Sequence, residues 1–450
     1  MTAPLAVVVL AAGKGTRMKS DLPKVLHAVA GRPMIDWVLE AAAALDPRQI
    51  VVVVGPDMAE LAAAVEPHRT AVQAEQLGTA DAVGAARQAL ADSLEAGADV
   101  LVLYGDGPLI EPETLRRMAE ARATGRADYV WLGFRPADPT GYGRLLLEAD
   151  GEVARIVEEQ DASDEQRRID LCWGGLLLAR GPALFDQLPR IGNDNAKGEY
   201  YLTSLVELAR AAGQRSLVVE CSAEEVVGVN SRAELAEAEA LLQARLRGRA
   251  MAGGATLLDP ASVHLSWDTR LGRDVVVEPQ VFFGPGVVVG DGVRIRAFSH
   301  LEGCRIERGA TVGPFARLRP GAELGEGARV GNFVEIKAAT LGPGAKVNHL
   351  SYVGDATVGA GANLGAGTIT CNYDGFRKSR TDIGPGAFIG SNTALVAPVS
   401  IGAGAIVGAG STISGEVPDE ALALSRAEQT IRPLAARRFR DRRVEAKKKG

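Results

Sequence analysis

The stretch Leu10-Ala11-Ala12-Gly13-Lys14-Gly15-Thr16-Arg17-Met18, followed by Leu22-Pro23-Lys24, has the residue types that hold a polyphosphate. Gly13 and Gly15 let the backbone approach an anion and turn its N–H groups inward. Arg17 and Lys24 add positive charge, and a helix is expected to start nearby with the positive end of its dipole on the same anion. Two other phosphate loops are excluded. Met18 stands where a GxGxxG dinucleotide fingerprint needs its third Gly, and GxxxxGK[ST] is absent. Asp106, in Tyr104-Gly105-Asp106, follows a strand and by itself reads as a turn cap.

A second chemistry lies far downstream. His349, in Asn348-His349-Leu350-Ser351-Tyr352, follows Glu335 and Lys337 by about one coil of a repeating structure. Histidine is the natural proton acceptor near neutral pH, and a stacked carboxylate would orient its ring. A lone His on a turn is more often surface decoration, and the residues by themselves leave that alternative open. Asn372-Tyr373 sits in TCNYDGFRKSRTD, the one break in the surrounding rhythm, where binding groups usually gather.

The rhythm is six residues. Val277, Phe283, Val289, Ile295 and Leu301 keep it, then Ile306, Val312, Leu318, Leu324, Val330 and Ile336. Leu341, Val347, Val353, Val358 and Leu364 continue it, and Ile383, Ile389, Leu395, Ile401, Val407 and Ile413 close it. Gly often follows the anchor, which a helix disfavours. The pattern predicts a parallel β-helix, each short strand sending one apolar side chain inward. Residues 1 to about 230 instead alternate strand and helix. Runs at 5–10, 50–54 and 100–104 read as buried parallel strands, and 34–45, 57–65 and 79–90 as helices. Ligands in such a sheet sit beyond the strands' carboxyl ends, past Leu10, Val54 and Tyr104. Residues 232–250 form a long Ala/Leu/Glu/Arg helix behind the N-cap candidate Asn230-Ser231, read as a connecting arm. The Arg/Lys-rich end, 437–450, reads as a mobile solvated tail or as a phosphate contact.

At 450 residues, two or more domains are expected. A net charge of −6 argues against general nucleic-acid binding. The apolar run 5–12 is too short to span a bilayer and lacks the preceding positive charge of a signal peptide, so a cytoplasmic protein without membrane insertion is expected. Cys172, Cys221, Cys304 and Cys371 are isolated and read as reduced structural thiols.

LAAGKGTRM with LPK resembles the signature of nucleoside-diphosphate-sugar pyrophosphorylases. With the hexapeptide rod, nearly all of residues 5–430 resembles the bifunctional bacterial N-acetylglucosamine-1-phosphate uridyltransferase and glucosamine-1-phosphate N-acetyltransferase family. The resemblance implies a Rossmann-like α/β nucleotidyltransferase domain with a mostly parallel sheet at 1–231, a helical linker at 232–252, a left-handed parallel β-helix at 253–430 and a basic tail at 431–450. It implies acetyl transfer from acetyl-CoA to glucosamine-1-phosphate, then uridylyl transfer from UTP with Mg²⁺, supplying peptidoglycan and lipopolysaccharide precursors from a homotrimer.

By the same resemblance, Leu10, Ala11, Ala12, Gly13, Gln73, Gly78, Thr79 and Tyr104 contact the nucleotide. Arg17 and Lys24 stabilise the transferring phosphates, while Asp106 and Asn230 hold the metal. Gly143, Glu158, Tyr201 and Thr203 contact the sugar phosphate. The chain departs from the family at Trp173, which stands where an Asn is expected and either stacks on the sugar, blocks it or packs as wall. In the rod, His349 is implied as base with Glu335 as its partner, and Arg319, Lys337, Tyr352, Asn363 and Lys378 as sugar-phosphate contacts. Ala366, Asn372, Tyr373, Ser391, Ala409 and Arg426 fall where the family holds acetyl-CoA. Two rival readings remain open at this level: a single-activity nucleotidyltransferase with a purely trimerising rod, and a non-catalytic regulatory subunit.

Overall fold

The computed structural model describes residues 3–125 and 127–449, and the chain divides into two compact units at Leu246/Arg247, within the helix Arg232–Ala252. In the first unit the main path of the sheet runs Ser216–Cys221, Tyr129–Phe134, Cys172–Arg180, Asp99–Tyr104, Leu5–Leu10, Gln49–Val54, Arg69–Val72. Its pairs are parallel except those made by Cys172–Arg180. Leu5–Leu10 lies at the centre because it is apolar throughout, and Val7, Val8 and Val9 are fully buried between two hydrophobic layers. Leu10 pairs with both Val53 and Tyr104, so the loops after these strands leave the sheet side by side. The arm helix starts behind Ser231, whose Oγ accepts from Glu234 N, and through Leu246 it packs on Val29, Met34, Leu109 and Val229.

Two local expectations fail in this unit. The helix expected over 79–90 is Thr79–Ala85, after which the chain tightens into i→i−3 turns; Gly84 weakens the helix at that point. The glycine loop opens no α-helix. Thr16–Met18 is a single 3₁₀ turn bounded by left-handed Gly15 (φ 60°) and Lys19 (φ 48°), conformations a right-handed helix cannot continue. The glycine loop itself therefore contributes no helix dipole to the cleft it borders.

The second unit is the β-helix. All the six-residue anchors from Val277 to Ile413 named above are at most 7% exposed, because each points into the prism. Val312 pairs with Val330, and Val330 with Val347, so a coil takes 18 or 17 residues. In the irregular coil Thr370 takes an inward place, and its hydroxyl is satisfied by Gly354 N (2.8 Å) and Gly354 O (3.1 Å). At the basic end Ala435–Lys449 is helical, as its Ala, Arg, Glu and Lys content favours, with Arg437 to Lys448 exposed.

Candidate active sites

A cleft of about 340 Å³ opens beyond Leu10 and Tyr104. It gathers ten of the nucleotide-site residues expected from sequence: Leu10, Ala11, Ala12, Gly13, Lys24, Gln73, Gly78, Thr79, Tyr104 and Asp106. A Cβ on Gly13 would meet nothing within 4 Å, so its backbone is open to a ligand. Gly15 is required, since a Cβ there would lie 2.7 Å from Lys24 Cβ. That close approach brings Lys24 Nζ onto Asp106 Oδ2 and to 2.8 Å from Asn230 Oδ1, joining positions 82 and 206 residues away. Arg17 is exposed and does not line the cleft.

Gln73 is buried, and its Nε2 donates to Gly78 O (3.1 Å) and Asp81 Oδ2 (2.8 Å). Both amide protons are spent, and the carbonyl oxygen is left to accept. Two further residues act here that sequence reasoning missed. Gln76 donates to Ala12 O across the mouth of the loop. Glu234 accepts from Asn230 N (2.8 Å) and so fixes Asn230. Burial works to raise the Glu234 carboxyl, but hydrogen bonds from Asn230 and Ser231 outweigh it and hold it below the usual range. The Ser231-x-x-Glu234 spacing was the available signal.

The residues expected to contact the sugar form an adjoining group. Glu158, Tyr201 and Thr203 line a cleft of about 490 Å³ with Arg155, Asp161 and Arg190. Thr203 Oγ1 donates to Glu158 Oε1 (3.2 Å), and burial raises the Glu158 carboxyl above the usual glutamate value. A Cβ on Gly143 would lie 3.4 Å from Glu158 Oε2. Trp173 N donates to Gly143 O (2.8 Å), and the indole stands edge-on to Tyr104 (6.2–6.4 Å, as for Trp131). It forms part of an aromatic wall behind these residues. Burial, then Glu158 and Asp106, keeps the Tyr104 hydroxyl protonated.

On the β-helix, His349 and Asn332 are register partners, and His349 Nδ1 lies 2.7 Å from Asn332 Oδ1. An amide oxygen only accepts, so Nδ1 carries the proton and Nε2 keeps its lone pair. Glu335 is not the recorded partner of the ring. It stacks between Arg317 and Tyr352 and takes the Arg319 guanidinium at 2.9 Å. One coil back from 349 is 332, and Glu335 lies past the intervening corner. His349 also borders a groove of about 580 Å³ with Arg294, Arg296 and Arg329.

Lys337 and Lys378 stand together, and their hydrogen bond and mutual repulsion lower the Lys378 ammonium. Asn372 Nδ2 reaches Asp355 Oδ2 (2.5 Å) and the Tyr352 hydroxyl (3.5 Å), while Tyr373 bridges to Lys378 across the loop. Asn363 lies on the other sheet, paired with Lys346 and Phe388. Four of the six acetyl-CoA candidates, Ala366, Ser391, Ala409 and Arg426, make one column. Gly367 N donates to His349 O (3.1 Å), Asn392 N to Ala366 O (2.7 Å), Gly410 N to Ser391 O (2.8 Å) and Arg426 Nη1 to Ala409 O (2.8 Å).

Residues 7–169 match the MobA-like NTP transferase domain family, and residues 303–338 and 380–415 match bacterial transferase hexapeptide (six repeats). Among curated relatives, the Bifunctional protein GlmU of Azorhizobium caulinodans is 59% identical over 95% of each chain. That of Paramagnetospirillum magneticum is 57% identical over 99% of this chain and 98% of its own, and that of Zymomonas mobilis subsp. mobilis 52% over 98% of each. Full-length likeness to proteins named bifunctional sets aside the single-activity and regulatory readings. The chain belongs to the family of bifunctional GlmU proteins, enzymes of UDP-N-acetylglucosamine synthesis that carry a uridyltransferase and a glucosamine-1-phosphate acetyltransferase activity.

Proposed function

We propose that the first unit performs uridylyl transfer at the Leu10–Asp106 cleft and the second performs acetyl transfer at His349. One observation carries the allocation: each unit holds its own convergent set of polar groups, Lys24 with Asp106 and Asn230 in one, His349 with Asn332 in the other.

In the first unit an oxygen of the sugar phosphate attacks the α-phosphorus of UTP in line and pyrophosphate leaves, so the protein's work is placement and charge compensation. Gly13 presents backbone to the triphosphate, Lys24 supplies positive charge, and Gln73 Oε1 accepts from the uracil N–H. Glu158, Gly143, Thr203 and Tyr201 position the sugar, and Trp173 walls it. Asp106 and Asn230 would hold Mg²⁺, since one carboxylate and one amide oxygen are the hard donors such an ion takes. That the Lys24 ammonium rests on both oxygens supports the fit, since a cation already occupies their shared field. When bound, the ion offsets phosphate charge. Arg17 reaches the phosphates only by turning in from its exposed position.

In the second unit the amine of glucosamine-1-phosphate attacks the thioester carbonyl, forming the C–N bond as the C–S bond to coenzyme A breaks. Nε2 of His349 takes the amine's proton. Arg319, braced by Glu335, and the Lys337–Lys378 pair clamp the phosphate, with Tyr352 beside them and Asn363 apart on the other sheet. Coenzyme A lies along the column Ala366, Ser391, Ala409, Arg426, near Asn372 and Tyr373. Phe298, Phe315 and Phe333 stack at 4.8 and 5.1 Å and stay exposed, as does Leu350. Such an apolar ladder supports assembly with further copies, and we assign a homotrimer. Among the described residues no helix is long and apolar enough to cross a membrane, in keeping with a cytoplasmic enzyme.

The test is an assay of purified protein with glucosamine-1-phosphate, acetyl-CoA, UTP and Mg²⁺, each omitted in turn. His349→Ala should lose acetyl transfer alone, and Asp106→Ala uridylyl transfer alone. Loss of both rates in either folded variant rejects the allocation.

A further inference from the structure

Lys24 Nζ contacts Asp106 Oδ2 and Asn230 Oδ1, the two oxygens assigned above to the divalent ion. The Lys24 and Asp106 side chains are 10% and 19% exposed, so the pair is largely screened from water and attracts more strongly than a surface pair. Its geometry is held from outside: Gly15 lets the Lys24 stem come close, and Glu234 fixes Asn230. An ammonium and a divalent ion cannot share these oxygens, because two positive centres would stand within contact distance around one carboxylate. A triphosphate resolves the conflict. It enters the cleft that both Lys24 and Asp106 line, offering the ammonium a different anion within its reach.

We propose that Lys24 is the resident counter-ion of the Asp106–Asn230 pair, and that a divalent ion gains these oxygens together with the nucleotide because the nucleotide draws Lys24 away. The inference rests on Asp106 and Asn230 being the metal's protein ligands. Lys24 thereby has two positions, one neutralising Asp106 and one neutralising phosphate. The protein does not carry an uncompensated carboxylate into the cleft, nor excess positive charge once metal and nucleotide are both bound. By linkage, metal and nucleotide must then strengthen each other's binding by equal factors.

The experiment titrates the full-length protein with Mn²⁺ alone, following the free ion by electron paramagnetic resonance, so that no turnover is read. Wild type, Lys24→Met, Lys24→Gln, Lys24→Arg and Asp106→Ala are compared, each with its thermal melt as a check on folding. The two neutral variants should bind Mn²⁺ at least about tenfold more tightly than wild type, as loss of a contacting positive charge requires. Lys24→Arg should stay close to wild type, and Asp106→Ala should lose the site. If a folded neutral variant binds Mn²⁺ no better than wild type while Asp106→Ala abolishes binding, the counter-ion role is wrong and the metal assignment survives. If Asp106→Ala binds as wild type does, the metal assignment fails and the inference falls with it.

Discussion

Asn332 Oδ1 sits 2.7 Å from His349 Nδ1, directly across one coil of the β-helix, while the acidic neighbour Glu335 is engaged with Arg319. The ring that would accept a proton is oriented by a neutral amide, and the carboxylate braces a cation.

Removing the amide should therefore harm the chemical step. Asn332→Ala is expected to lower the kcat of acetyl transfer about 10- to 100-fold, the usual cost of freeing an oriented imidazole. Uridylyl transfer should stay unchanged in the same preparation. An acetyl kcat within twofold of wild type would show that the ring needs no such guide.

Glu335→Gln separates the two partnerships. If the carboxylate braces Arg319, the KM for glucosamine-1-phosphate should rise about tenfold with kcat little changed, as a charge-assisted clamp is loosened. A fall confined to kcat, with a displaced pH profile, would return Glu335 to the imidazole.

Glu158 gives the uridyltransferase a pH dependence. Burial raises its folded pKa, so on acidification the carboxylate protonates earlier than an ordinary glutamate and, under the proposed sugar contact, would stop accepting from sugar hydroxyls. The acid limb of kcat/KM for uridylyl transfer should therefore have its midpoint above the ordinary glutamate value of 4.5, and Glu158→Gln should flatten that limb. The stability sign is opposite. Because the folded state binds the proton more tightly, this group's penalty is present above its folded pKa and is relieved as pH falls through it. A Glu158→Gln profile superposable on wild type would exclude the residue as the titrating group.

Trp173 packs edge-on against Tyr104 and Trp131 in the first unit. Trp173→Ala should destabilise that unit by about 2–4 kcal/mol through lost burial and ring contacts. Denaturant melts should show one weakened transition with acetyl transfer intact. Trp173→Phe should keep most of the stability, whereas equal stability of the Ala variant would mean that the ring is not wall.

Much of the molecule was legible as one-dimensional pattern. The uninterrupted apolar run at Leu5–Leu10 identifies the central strand, and the six-residue return of aliphatic side chains identifies the prism, because burial repeats with the period of the backbone. Gly13, Lys24 and Asp106 were recognisable as cleft residues because loops beyond parallel strands collect ligands. Which side chains meet was decided elsewhere. Lys24, Asp106 and Asn230 converge across 82 and 206 residues, and no local period records that. The absence of a helix at the phosphate loop depends on left-handed turns at Gly15 and Lys19, the latter a conformation lysine rarely takes. His349 faces Asn332 instead of Glu335 because coils take 17 or 18 residues and turn a corner between strands. A shift of three residues moves a side chain to another face of the prism, so sequence determined the coil and only the closed register determined the partner.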